Sequence, residues 1–231
     1  IKNANSIWLN GKPFKHDLEM SLDREIKIMN DANCFALSEA IDGSGANYNT
    51  VWGVIIGSGF GGSFVHNKKV VEGVNQVAGD WGHQPLPYPS KEEWDLNLKC
   101  PVDNCGRPLC AEQFISGIGF TKIFNKKYKT NFTTKEIVDL ELNGDERAKK
   151  EFDLYEDRFA RLIAVMIGIV DPDVIILGGG MSNIERLYSN IPKLLPKYTF
   201  SDKVRNKILR NTHGDSGGVR GAAWLWDSDK F

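Results

Sequence analysis

Three of the four cysteines of this chain fall between positions 100 and 110, and a histidine stands at position 83 ahead of them. No other feature constrains the fold as tightly. His83, Cys100, Cys105 and Cys110 make up the full ligand set of a closed tetrahedral zinc site. A metal held by them would draw the Pro-rich, irregular stretch 84–110 into one pinned loop and brace whatever surrounds Asp80, His83 and Glu112. The competing reading is a loop with three reduced cysteines, one of them buried. Cys34 has no ligand neighbour and reads as core. So few cysteines, three of them in ligand positions, make no disulfide framework, and a reducing cytoplasm fits best.

Around that loop, apolar strands alternate with helices, which argues an α/β architecture. Residues 1–13 read as extended, 17–25 as a short amphipathic helix, 26–29 as a short strand and 32–41 as a buried helix. Residues 43–49 are a polar loop and a plausible boundary, dividing the chain into 1–45 and 46–231. Residues 51–56 form an apolar strand, and 63–71 complete a hairpin around Asn67-Lys68-Lys69. Helices are expected over 111–128, 134–142 and 146–170, the last carrying an apolar stripe at helical period and ending at Asp171-Pro172. A buried strand at 174–177, a helix at 183–195, a strand at 204–209 and a closing helix at 219–226 complete the chain.

Two glycine clusters follow buried strands. Gly57, Ser58, Gly59, Phe60, Gly61 and Gly62, with Ser63 next, match G-x-G-x-x-G literally. A dinucleotide fingerprint needs a helix directly after the glycines, and this sequence offers a hairpin. The glycines either let backbone N–H groups approach an anion or simply make a tight turn. Gly178, Gly179 and Gly180 form the second cluster, and ligands of α/β sheets bind beyond the carboxyl ends of strands. Asp31 follows the short strand and opens the buried helix, with Asn30 beside it. A carboxylate there can serve as general base, or it can be an ordinary helix cap. Gly214-Asp215-Ser216-Gly217-Gly218 imitates a serine-protease nucleophile string, but the helical, thiol-rich context excludes that reading.

The net charge of −1 over 231 residues gives no electrostatic case for nucleic acid or an anionic membrane. No apolar run is long enough to span a bilayer, and no signal peptide is visible. The opening at Ile1 reads like the middle of a protein.

Taken in order, these strings resemble the ROK family of bacterial sugar kinases and repressors. Asn30-Asp31-Ala32-Asn33 is similar to the family's catalytic string, and residues 57–62 to its second phosphate loop. Asp80-Trp81-Gly82-His83, Cys105-Gly106 through Cys110 and Glu112, and Ser116-Gly117 resemble its zinc signature; 171–180 resembles its adenosine-side segment. The likeness is greatest to bacterial fructokinase/mannokinase and N-acetylglucosamine kinase. Asn3 through Gly11 and Gly82-His83-x-Pro85-Leu86-Pro87 lean toward fructokinase.

The resemblance implies a hexokinase/actin-like (ribonuclease H-like) fold of two α/β lobes with substrate between them. Residues 1–45 would be a remnant of the N-terminal lobe and 46–231 the C-terminal lobe, with the last helix returning to the first. It implies ATP, Mg2+ and structural Zn2+, Asp31 as base, and Asn30, Asp80, His83 and Glu112 on the sugar hydroxyls. Gly57 to Ser63 and Gly178 to Gly180 would meet the nucleotide. The expected partners are a hexose and ATP, with no nucleic acid or membrane; a homodimer stays open. Phosphoryl transfer to the 6-hydroxyl of fructose or mannose is the leading expectation. N-acetylglucosamine or N-acetylmannosamine kinase is the alternative; a ROK repressor or a sugar-binding remnant is the reading from another class.

Three departures stand out. Asp80 occupies a position where the kinases usually carry Glu. Cys100 and Cys105 are C-x4-C where the family has C-x-C, and Leu109 replaces a usual Gly. The family's first strand and Asp-x-Gly-Gly-Thr loop are absent from the string, so an incomplete N-terminal lobe and weak ATP binding are expected.

Overall fold

A computed structural model describes residues 7–96 and 105–226. Its centre is a five-stranded mixed sheet in the order β3-β2-β1-β4-β5. Strand β1 (Thr50–Ile56) turns back antiparallel into β2 (Phe60–His66), and β2 into the short β3 (Lys69–Val70). On its other side β1 pairs in parallel with β4 (Val174–Gly178), and β4 with β5 (Lys207–Arg210).

Both faces of the sheet are covered, which is why β1 and β4 read as continuous apolar runs. Side chains still alternate between the faces. Trp52, Val54, Ile56, Ile175 and Leu177 join the larger core, built with Phe114, Phe120, Tyr155 and Phe159. Val51, Val174 and Ile176 meet Phe35, Ala36 and Ala40 on the opposite face. That second layer is α2 (Asp31–Asp42), and α9 (Gly217–Trp224) packs on α2 through the cluster of Cys34, Leu37 and Leu225. Helix α2, from the first side of the expected division at 45/46, thus lies on the sheet of the second.

The larger core is roofed by α4 (Glu112–Ile115), α5 (Gly117–Tyr128), α6 (Thr134–Leu142), α7 (Glu146–Val170) and α8 (Arg186–Leu194). Helices α6 and α7 have the bounds their sequence signals predict. Thr133 and Glu136 form a reciprocal capping box at the start of α6, and the Asp145 carboxylate accepts the N–H groups of Arg147 and Ala148 at the start of α7. The buried Tyr155 hydroxyl donates to the carbonyl of Ile115 at 2.9 Å, so this core phenol is satisfied.

Several expectations are corrected. Residues 26–29 are not a strand: no strand lies beside them among the described residues, and Met29 instead packs on the Cys34–Leu37–Leu225 cluster. The first helix, α1, is Phe14–Leu22 rather than 17–25, ending where Asp23 turns left-handed at φ 47°. The single helix expected over 111–128 is broken at Ser116, whose backbone is extended (ψ 151°) and whose hydroxyl caps the N–H of Gly119. Residues 7–9 form a turn of 3-10 helix instead of extended chain. Helix α8 starts at Arg186, β5 at Lys207 and α9 at Gly217, each a few residues from the expected edge.

Candidate active site

Because β1 and β4 are parallel, both glycine clusters emerge at the same end of the sheet. Helix α2 runs against the strands, with Phe35 over Gly178 near its start and the loop residue Gly45 over Val51 beyond its end. The N-terminus of α2 therefore points to the end where the glycines lie. This is the position that α/β sheets use for ligands.

The first cluster is a three-residue hairpin turn, since Ile56 pairs with Phe60. The N–H of Gly57 donates to the carbonyl of Gly59 at 3.0 Å and closes the turn. The carbonyl of Gly57 accepts the N–H of Gly117, at the start of α5, at 2.8 Å. Ser58 is exposed at the tip, while Gly62 and Ser63 are buried in β2. The second cluster ends β4 at Gly178; Gly179 takes φ 80°, and a 3-10 turn follows over Gly180–Asn183.

Residues 79–83 lie directly against the hairpin. A side chain on Gly82 would stand 2.0 Å from the carbonyl oxygen of Phe60, so only glycine lets the two backbones meet. Trp81 is buried between the rings of Trp52 and Phe60, at 5.4 and 4.9 Å. Asp80, next to it, is exposed.

The chain then pairs with the segment leading into α4. The N–H of Leu86 donates to Leu109, that of Ala111 to Gln84 and that of Glu112 to Gly82, at 2.8, 2.8 and 2.9 Å. This pairing sets His83 beside Cys110, with 3.7 Å between Nδ1 and Sγ. The ligand atoms of His83, Cys105 and Cys110 all lie within 4.8 Å of one another. Zinc bond lengths put two ligands of a tetrahedron about 3.6 Å apart for an N/S pair, which the His83–Cys110 spacing matches, and the three donors lie close enough together to hold a metal ion. Cys100 lies outside the described residues. Leu109, inside the loop, adopts φ 54°, a left-handed conformation that a side chain makes costly and that explains why glycine suits this position.

Glu112 is 5% exposed, and its Oε2 accepts the N–H of Phe60 at 3.0 Å. The carboxylate thus joins the segment leading into α4 to the glycine hairpin after β1. Asn30 and Asp31 are exposed and cap α2: Asn30 Oδ1 accepts from Ala32 and Asn33, and Asp31 Oδ1 also from Ala32. Hydrogen bonds join residues 57–60, 82–86 and 109–117 into one shell; the ones that fix Asn30 and Asp31 are those of a helix start.

One cluster escaped the sequence reading. Glu93, in the short α3 (Lys91–Asp95), accepts from Arg158 Nε at 2.8 Å and Arg161 Nη2 at 2.6 Å, all three residues being buried. Arg161 also donates to the carbonyls of Pro87 and Tyr88, and the Arg158 guanidinium sits 5.3 Å from the Phe114 ring. Burial alone would raise the Glu93 carboxyl, but the hydrogen bonds from Arg161 and Arg158 hold it below its ordinary value. The capping box Ser90-x-x-Glu93 was the available local signal; nothing local points to partners more than sixty residues away.

No helix among the described residues is long and apolar enough to cross a membrane. The chain is 41% identical over 229 residues to the N-acetyl-D-glucosamine kinase of Vibrio vulnificus, a match covering 97% of this chain and 74% of that protein. It is 38% identical over 226 residues to the protein of the same name from Escherichia fergusonii, covering 98% and 75%. Among solved structures, the ROK hexokinase of Thermus thermophilus superposes with a TM-score of 0.81 at 23% identity, covering 96% of this chain and 72% of that one. A ROK family glucokinase from Streptomyces griseus, in complex with glucose and AMPPNP, gives 0.79 at 24%, covering 94% and 72%. The α/β fold with its mixed sheet is thus that of the ROK hexokinase-like proteins. The ROK family pattern matches residues 1–229, and the chain belongs to the ROK family.

Proposed function

We propose that this protein transfers the γ-phosphoryl group of ATP to the 6-hydroxyl of N-acetylglucosamine. The observation that carries the substrate is the 41% identity, along nearly the whole chain, to a protein named for that sugar. The leaning toward fructokinase rested on two short strings, and it yields to a likeness of this extent. The hexose would lie between residues 1–45, as a piece of the N-terminal lobe, and the lobe of 46–231.

In this reading Asp31 accepts the proton of the 6-hydroxyl while that oxygen attacks the γ-phosphorus, and ADP leaves. Its exposure at the start of α2 leaves it accessible to a sugar. Asn30, Asp80, His83 and Glu112 hold hydroxyls. Ser58 and Gly59, at the hairpin tip, approach the phosphates, and Gly178 to Gly180 line the nucleotide side. Mg2+ brought with ATP neutralises phosphate charge when bound. The chain's own contribution is positioning and a base, which is most of what phosphoryl transfer requires.

His83, Cys105 and Cys110 would hold Zn2+, with Cys100 as the fourth ligand, and the metal would be structural. The short distance from Nδ1 to Cys110 Sγ supports Nδ1 as the ligating nitrogen. Nε2 then carries the proton and donates to a sugar hydroxyl, so His83 can serve both roles. A cytoplasmic setting, where thiols stay reduced, suits such a site.

The test is a coupled ADP-release assay on the intact protein with N-acetylglucosamine, N-acetylmannosamine, glucose, fructose and mannose. N-acetylglucosamine should give the highest kcat/KM. A preference for fructose would return the assignment to fructokinase.

A further inference from the structure

We propose that Glu112 couples the two substrates: its carboxylate is the positioning group through which bound sugar orders the phosphate loop, and bound nucleotide tightens the sugar site. This rests on the kinase reading above, in which Glu112 meets a sugar hydroxyl.

The geometry ties this one residue to both segments, by its backbone on one side and its carboxylate on the other. Its backbone N–H is tied to the carbonyl of Gly82, beside His83 in the sugar string. Its Oε2 accepts the N–H of Phe60, the residue that closes the phosphate-loop turn. A methyl group on Gly59 would stand 3.1 Å from that same oxygen, so the carboxylate also abuts the loop tip. The chain is stiff between these points. Gly82 and Phe60 touch backbone to backbone, and the turn is anchored from the other side by Gly117.

A sugar hydroxyl donating to the carboxylate adds a further donor to the group that accepts the Phe60 N–H, and narrows the positions open to that acceptor. The tip at Ser58 and Gly59 is then held more tightly before ATP arrives. The ordering is paid once, by whichever substrate binds first. Linkage requires the reverse effect to be equally large: nucleotide at the tip holds the carboxylate where the sugar needs it.

The experiment is calorimetric titration of the intact protein with N-acetylglucosamine, in the absence and presence of saturating Mg–AMPPNP. The wild type should bind sugar about five-fold or more tightly with the nucleotide present, the low end of ordinary coupling. Glu112→Ala, which removes the acceptor of the Phe60 N–H, should bring that ratio to within two-fold of unity. Gly59→Ala has no positive φ to oppose it; its methyl group crowds Oε2 and should erode the ratio as well, read at saturating nucleotide because Gly59 also approaches the phosphates. A wild-type ratio near one overturns the proposal. So does a Glu112→Ala protein that binds sugar weakly but keeps the wild-type ratio, because Glu112 would then be a sugar contact only. If Glu112→Ala binds sugar too weakly to titrate, Gly59→Ala decides, and an unchanged ratio there overturns the proposal. If glucose binds and N-acetylglucosamine does not, the substrate reading fails, and the same ratio measured with glucose decides the coupling.

Discussion

Replacing Glu93 by alanine should be among the most damaging single changes outside the aromatic core. Glu93, Arg158 and Arg161 have side chains only 4–5% exposed. The carboxylate accepts three hydrogen bonds from the two guanidinium groups, at 2.8, 2.6 and 3.2 Å. Asp157 sits 3.2 Å from Arg161 but is shared with the exposed Lys197 at 3.2 Å, so Glu93 is the main counter-charge of the two buried guanidinium groups. Glu93→Ala leaves an uncompensated buried guanidinium, which costs about 3–5 kcal/mol. For a chain of this size that lowers Tm by about 6–20 °C. The damage should spread to the site, because Arg161 also holds the carbonyls of Pro87 and Tyr88 and Arg158 lies over Phe114. Hydrogen exchange across 84–95 and 111–115 should therefore quicken along with the fall in Tm. Acid should separate wild type from the isosteric Glu93→Gln. Because the folded carboxyl titrates below its unfolded value of about 4.3, its contribution is complete above that pH and is lost as pH falls through the folded value. The stability gap between the two proteins should thus be widest near neutrality and close below about pH 4. A double variant, Glu93→Leu with Arg158→Met, should recover part of the loss, since apolar replacements of buried ion pairs are often tolerated. A Tm drop under about 2 °C for Glu93→Ala would refute the reasoning, because that is the scale of a surface substitution.

Protein purified without added metal should contain one zinc per chain by elemental analysis, and Cys110→Ser should lose it together with local order around 83–112; metal-free protein with an unchanged melt would contradict the zinc assignment. Leu109→Gly should destabilise the fold despite relieving a left-handed leucine. The relief is about 1–2 kcal/mol, and emptying a buried leucine site costs about 2–5 kcal/mol, so a higher Tm would show that the strain outweighs the burial.

Elements with local signals were legible in the sequence. The apolar stripe of 146–170 and its stop at Asp171-Pro172 set α7, and the G-x-G-x-x-G string followed by alternating residues gave a hairpin rather than a helix. The likeness of 80–83 and 105–112 to a zinc signature placed those segments together, and the structure does bring them into contact. What local sequence could not give was set by distant partners. Ile26 to Met29 has the composition of a strand, yet no strand stands beside it among the described residues. Ser116 interrupts a helical pattern because its hydroxyl is used as a cap and the Gly117 N–H is drawn to Gly57. Glu93 reads as a helix cap until Arg158 and Arg161 are seen across the loop. Gly82 and Phe60 reveal their close approach only in three dimensions.

The central claim is that Asp31, at the start of α2, removes the proton of the sugar hydroxyl. Asp31→Asn tests it cleanly, because asparagine keeps an oxygen that can accept the Ala32 N–H now bonded to Asp31 Oδ1 at 2.9 Å. The measurement is kcat for N-acetylglucosamine phosphorylation in the intact protein, beside the sugar Kd and the thermal melt. The account predicts an unchanged melt, a sugar Kd within a few-fold, and kcat lower by about 10²–10⁴-fold, the usual cost of losing a general base. Turnover within a few-fold of wild type would mean that Asp31 is only a helix cap, and the proposed mechanism would be wrong.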